Sequence, residues 1–167
     1  CTLLAQQSSD TPDSPRRTQA GGIYASRTFG AHPHQLKLVM LDARFSRDDH
    51  AVPSPGAWEW LPKPGYAAAA VRVACAVLGI GASYKGDVLG EEQWRWLEAE
   101  LRNSTASAHL IVSSIQVLTT SPAVESWGHF PAARVRLLEL LRDTAPAGAL
   151  LLSGDVHYAE LIGNTGR

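Results

Sequence analysis

Cysteine and methionine are scarce in this chain of 167 residues. Its two cysteines, Cys1 and Cys75, exclude a disulfide-dense scaffold and a cysteine-rich zinc module. The single methionine is Met40 and residue 1 is a cysteine, so the chain is either processed or a piece of something longer. An excess of one charge is also missing. Fifteen Lys and Arg stand against 16 Asp and Glu, a formal net charge of -1, without the basic stripe of a dedicated nucleic-acid binder. No basic flank followed by an apolar segment opens the chain, so no secretory signal is visible. Walker-type phosphate loops, G-x-G-x-x-G and H-E-x-x-H are absent as well.

A long uninterrupted hydrophobic run is the last absence. The stretch from Tyr66 to Tyr84 is weakly polar, but it is largely Ala and Gly and contains Arg72. An arginine at the centre of a membrane span costs about 2.5–3.5 kcal/mol, which several alanines do not offset. A small buried helix, a strand-like insertion or a sequence artefact is the expectation there.

What is present is a globular composition, 45% apolar and 19% charged, of a length suited to one domain. The first 20 residues read as a loop or linker. Strands are predicted at Gly22–Phe29, Leu36–Leu41, Leu110–Val117 and Ala149–Leu152, the last two as short buried runs. Val52–Gly65 is a proline-rich loop. Gly90–Asn103 is predicted helical, with Trp94, Leu97 and Leu101 on one face and Glu91–Arg95 and Glu98–Arg102 paired across one turn. A second helix, Pro131–Thr144, opens on a proline and carries Val135, Leu138 and Leu141 on one face. Apolar strands alternating with amphipathic helices indicate an α/β protein.

Ligands of α/β sheets collect beyond the carboxyl ends of strands, and two such ends carry chemistry. Ala149–Leu152 opens into Ser153-Gly154-Asp155-Val156-His157. A carboxylate and an imidazole two residues apart suit a divalent or trivalent ion; the alternative is an Asp capping the turn and a His satisfied by backbone. Leu41-Asp42-Ala43-Arg44 ends another strand. Asp42 either holds a ligand or pairs with Arg44, whose planar fork suits a phosphate oxygen; an ion pair tying the loop to the sheet is favoured. Ser113 and Ser114 lack a G-x-S-x-G elbow, which disfavours a serine hydrolase. His32-Pro33-His34 falls in a predicted hairpin turn, and Asp48-Asp49-His50 reads as a solvated charge run. Trp94 and Trp96 are expected in helix packing, and Glu125-Ser126-Trp127 is placed to reach the edge of a cleft.

Taken in order, Gly22-Ile23-Tyr24, Phe29-Gly30, Leu41-Asp42-Ala43-Arg44, Leu89-Gly90-Glu91-Glu92-Gln93-Trp94-Arg95-Trp96-Leu97, Glu125-Ser126-Trp127 and Ser153-Gly154-Asp155-Val156-His157 resemble the PhoD-like alkaline phosphatase/phosphodiesterase family, a branch of the binuclear metallophosphatases. The resemblance covers nearly the whole chain except Ala67–Tyr84, which looks like an insertion. It implies an α/β fold, part of a four-layer α/β/β/α metallophosphatase sandwich. It also implies two metal ions (Fe, Ca, Mn or Zn) and a phosphate-ester substrate. By resemblance Asp155 is a metal ligand, His157 a ligand or a catalytic contact to the reacting phosphate, and Arg44 a substrate-binding residue whose role is otherwise architectural.

One departure qualifies that expectation. Members of the family carry upstream ligands, including a WDDHD-like block, and no residues remain here to hold them. Asp48-Asp49-His50 lacks the preceding Trp, has Ala51 in place of an acid and follows the LDAR block. The chain is therefore expected to be a carboxyl-side portion of a catalytic domain, inactive alone. The rival expectation is a non-catalytic α/β binding or interaction domain derived from the same fold. Relatives are commonly exported, but nothing in the chain assigns a location.

Overall fold

The computed structural model describes residues 22–52, 64–119, 121–154 and 160–161. Four strands form one sheet in the order β1-β2-β3-β4: β1 (Ala25–Phe29), β2 (Leu36–Met40), β3 (Ala108–Ser113) and β4 (Ala149–Ser153). The first pair is an antiparallel hairpin, whereas β2, β3 and β4 run parallel. Helices α1 (Pro64–Val77) and α2 (Gly90–Arg102) lie in the β2–β3 connection, and α3 (Pro131–Thr144) lies between β3 and β4. Parallel neighbours need such long crossovers, which is why helices alternate with strands here.

The core lies on one face of the sheet. Alternation along β2 and β3 sends Val39 and Ile111 to that face, where they join Trp94, Leu97 and Leu101 of α2 and Leu137 of α3, all buried. Trp127 and Phe130, on the short helical turn Trp127–His129 and just after it, are fully buried beside them. The opposite face is less covered. On β4, Leu150 is 55% and Leu152 50% exposed. The expectation that the late run Ala149–Leu152 is a buried strand is thus corrected: on β4 Leu151 alone is partly covered, and the other four residues are exposed. A short run of leucines carries no period with which to tell the two cases apart.

Helix α2 explains why Leu89-Gly90 stands where it does. Gly90 has φ +75°, and a Cβ there would lie 2.9 Å from Ser46 Cβ, so a side chain is disfavoured both by conformation and by space. Asp87 accepts hydrogen bonds from Gly90 N at 2.9 Å, Val88 N at 2.8 Å and Trp94 Nε1 at 2.8 Å. One carboxylate satisfies orphan donors at the helix start and also anchors a core indole. The predicted Glu98–Arg102 pair forms at 2.8 Å. Glu91, however, directs its carboxylate to Arg136 of α3, at 2.9 Å from Nη2, while Arg95 Nε donates to the Glu91 carbonyl. A partner on the neighbouring helix displaces the pair within the helix.

The observed bounds of α3 coincide with those predicted, but of its predicted inward face only Leu141 packs against the core. Ala133 and Leu137 are buried, whereas Val135 is 53% and Leu138 36% exposed. Leucines at 137, 138, 140 and 141 surround much of the helix, so the apolar stripe can be drawn along more than one row. The stretch around Tyr66–Tyr84 forms α1 and the turns after it. Of the three alternatives the helix is the one that forms, but it is not buried: Ala68 alone in this stretch is, and no described helix is long and apolar enough to cross a membrane.

Candidate functional site

Register brings the chemistry-bearing strand ends to one edge. Met40 is paired with Val112, Val112 with Leu152 and Ser113 with Ser153. Leu41 N continues the ladder by donating to Val112 O at 2.9 Å. The turn Asp42–Arg44, the turn after Ser113 and the exit from β4 at Gly154 therefore leave the sheet side by side, the arrangement in which α/β proteins place ligands. Asp155 and His157 lie outside the described residues. Arg44 is described: it sits beyond the end of β2 with half its side chain exposed.

The turn that carries Arg44 is built with care. Asp42 Oδ1 accepts from Arg44 N and Phe45 N, both at 3.0 Å, and Oδ2 accepts from Ile23 N at 2.9 Å. Asp42 is thus engaged with backbone donors; the expected Asp42–Arg44 link runs through the backbone N–H of Arg44. Gly22, at φ +122°, permits the approach, since a Cβ would lie 2.8 Å from Asp42 Oδ2. Buried Gln93 clamps the same residue from α2. Its Oε1 accepts from Asp42 N at 2.8 Å, and its Nε2 donates to Asp42 O at 2.9 Å. The LGEEQ and LDAR blocks, 51 residues apart, are one structural unit. Replacing Gln93 with leucine leaves both backbone groups of Asp42 without a partner and is expected to cost about 2–4 kcal/mol. Urea denaturation measures the loss.

Glu125 is the charge hub of this edge. Arg44 Nη1 and His50 Nε2 each lie 3.5 Å from its Oε1, and Arg47 Nη1 donates to the same oxygen. The His50 hydrogen bond, then the Arg47 and Arg44 charges, hold its carboxyl at about 2, overcoming the opposing effect of burial. Because the folded-state value is depressed, this stabilisation is present above pH 4.5 and is lost as pH falls towards about 2. Between about pH 6 and about pH 3, the urea midpoint of Glu125→Gln is expected to fall less than that of the wild type. Equal falls would contradict the depressed carboxyl.

Around the edge the structure revises one expectation and agrees with two others. His50 is half-buried against Phe130, with ring centroids 5.1 Å apart, while Asp48 and Asp49 are exposed. The segment is a solvated charge run only as far as Asp49, and Asp48 Oδ2 accepts from Asp87 N at 2.7 Å. Ser113 is buried, donates to Ile115 O at 2.8 Å and accepts from Trp127 Nε1 at 3.0 Å. That hydroxyl is a structural joint and not a nucleophile. His32 and His34 lie in the β1–β2 turn, at the opposite end of β2 from the site, as the hairpin reading places them.

Trp94 and Trp96 do pack as expected. Trp94 meets Trp127 edge-on, and Trp96 lies against Tyr24 with centroids 4.6 Å apart. Among the described residues, no group of three His, Cys, Asp or Glu side chains is placed to hold a metal ion. Sequence reasoning missed Asp87, Gln93, Arg47 and His50 as parts of this edge. The spacing of Asp87 ahead of Gly90 was the one available local signal, because an acid just before a helix suits its exposed N–H groups.

A search of curated proteins returns no match. A solved structure titled "Structure of PhoD" matches with a TM-score of 0.53 and 24% identity over 89% of this chain, which spans 25% of that structure's length. That likeness establishes a shared fold, so the α/β sheet belongs to the metallophosphatase type of architecture. The family model for PhoD-like phosphatases matches residues 10–162, nearly the whole sequence. The chain belongs to the PhoD-like phosphatase family.

Proposed function

We propose that this chain is the carboxyl-side portion of a metal-dependent phosphate-ester hydrolase, of alkaline phosphatase or phosphodiesterase type. The observation that carries the reading is the alignment of strand ends. The exit of β4 at Gly154, which leads into Asp155 and His157, stands on the same edge as the Arg44 turn. Asp155 supplies a hard carboxylate and His157 an imidazole, donor types suited to Fe, Ca, Mn or Zn. Two donors do not suffice for two ions, and the described residues contribute no further ligand group. The remaining ligands are assigned to sequence upstream of Cys1, in keeping with a chain that spans a quarter of the PhoD structure. When bound, a pair of metal ions activates water and neutralises phosphate oxygens.

The protein's own residues hold the substrate. Arg44 offers its half-exposed fork to a phosphate oxygen, while Glu125 positions the guanidinium from behind. His157 either completes the metal shell or contacts the reacting phosphate. The segment 67–84 is an insertion in this scheme, and α1 contributes no residue to the main core cluster.

The test is turnover of a chromogenic phosphate ester by the purified 167-residue chain supplied with Fe, Ca, Mn or Zn. Little or no turnover is expected. Robust metal-dependent turnover from these residues alone would sink the reading of the chain as a portion of the site.

A further inference from the structure

A cavity of about 320 Å³ lies between α1 and the segment from Thr119 to Arg134, near the lower end of the roughly 300–1,000 Å³ typical of small-molecule sites. Val52, Ile80, Pro122 and Pro131 give it an apolar wall, while Arg72 of α1 and Arg134 of α3 both line it. No carboxylate is among the lining residues. Both arginines are half-buried, and neither forms an ion pair among the described residues.

Each guanidinium donates once to a backbone carbonyl, Arg72 Nη1 to Ala123 O at 3.2 Å and Arg134 Nη2 to Leu118 O at 3.1 Å. These bonds hold the two heads in place and use one nitrogen of each. Arg72 Nη2 and Arg134 Nη1 bond to no other atom of the described residues, yet neither is closed off from the surface. The Arg72 charge is felt on the neighbouring wall: after burial, the larger cause, it helps hold the His129 ring below its ordinary pKa. A cation that is partly withdrawn from water and lacks a counter-charge is costly, so an anion shared by the two arginines is stabilising.

The wall selects among anions. The cost of taking an ion out of water rises with the square of its charge, so a cavity with an apolar side favours a monoanion over a dianion. A carboxylate carries one charge and has two oxygens, one for each guanidinium. An apolar body attached to it lies against Val52 and Ile80.

We propose that this cavity binds a small organic monocarboxylate with an apolar body, held between Arg72 and Arg134 at a site separate from the strand-end edge. The inference does not depend on catalysis, so it is tested on the 167-residue chain whether or not that chain turns over substrate. Benzoate, benzamide and acetate are titrated in turn by calorimetry. Saturable one-to-one binding of benzoate is expected at millimolar concentration or below. Benzamide, which has the ring without the charge, and acetate, which has the charge without the ring, are each expected to bind about tenfold or more weakly. Cys75 also lines the cavity and is half-buried. Benzoate is therefore expected to slow its alkylation by iodoacetamide, with Cys1 as the reference, and phenyl phosphate at equal concentration to protect it less.

Arg72→Gln and Arg134→Gln are each expected to weaken benzoate about tenfold or more, whereas Arg142→Gln, at an exposed position paired with Asp143, leaves it unchanged. Circular dichroism checks that the variants fold. Should one cavity variant fail to fold, the other and the benzamide comparison decide the matter; should Cys75 resist alkylation, calorimetry of Arg72→Gln decides it. No saturable binding of benzoate, benzamide or acetate binding as tightly, phenyl phosphate protecting Cys75 as well as benzoate does, or full affinity in Arg72→Gln would each overturn the proposal.

Discussion

Trp127→Ala is expected to remove about 3–5 kcal/mol of stability, the range for emptying a large aromatic site in a packed core. Trp127 is fully buried, meets Trp94 edge-on and donates Nε1–H to Ser113 at 3.0 Å. The substitution leaves a cavity between α2 and the end of β3 and strips the Ser113 hydroxyl of one partner. Stabilities of ordinary domains are about 5–15 kcal/mol, so the variant is expected to be partly unfolded or near its threshold. Urea denaturation followed by circular dichroism measures it. Trp127→Phe, which keeps most of the ring volume and loses the hydrogen bond, is expected to fall between the variant and the wild type. A loss below about 1 kcal/mol for Trp127→Ala would contradict the buried position.

The second large effect concerns chemistry. In the protein extended upstream of Cys1, Asp155→Asn is expected to lower phosphate-ester turnover by at least about 100-fold. Loss of groups that merely support a metal ligand costs 10–100-fold, and Asp155 is proposed as a ligand itself. The variant changes one oxygen to an amide nitrogen and leaves the strand ahead of it intact, so the urea midpoint is expected to stay close to wild type. Steady-state kinetics with a chromogenic ester reads the effect. Wild-type turnover in the variant would remove Asp155 from the site.

What is local in the fold is legible in the sequence. Proline at the start of α3, and Ala145 in a left-handed conformation at its end followed by Pro146, set boundaries that depend on a few neighbouring residues. The apolar row Trp94, Leu97 and Leu101 is buried as its spacing requires. The order of the four strands and of α2 and α3 is also legible, whereas α1 falls where a helix is one alternative of three.

What escaped involves residues far apart in the chain. Glu125 meets Arg44 across 81 positions, and Gln93 grips Asp42 across 51. No periodicity records such contacts, although the family resemblance had already picked out both blocks. The inward face of α3 escaped for another reason. Its leucines allow several stripes, and the choice is made by the neighbours it packs against. The same holds for β4, where an all-leucine run conceals the difference between a strand covered on one face and a strand covered on two.

Hydrolysis of a chromogenic phosphate ester by the upstream-extended protein, before and after metal chelation, tests the central claim most directly. The account predicts turnover that chelation abolishes and that one of Fe, Ca, Mn or Zn restores. Turnover indifferent to chelation would contradict it. So would the absence of turnover with every metal supplied, which would favour a non-catalytic binding domain built on the same fold.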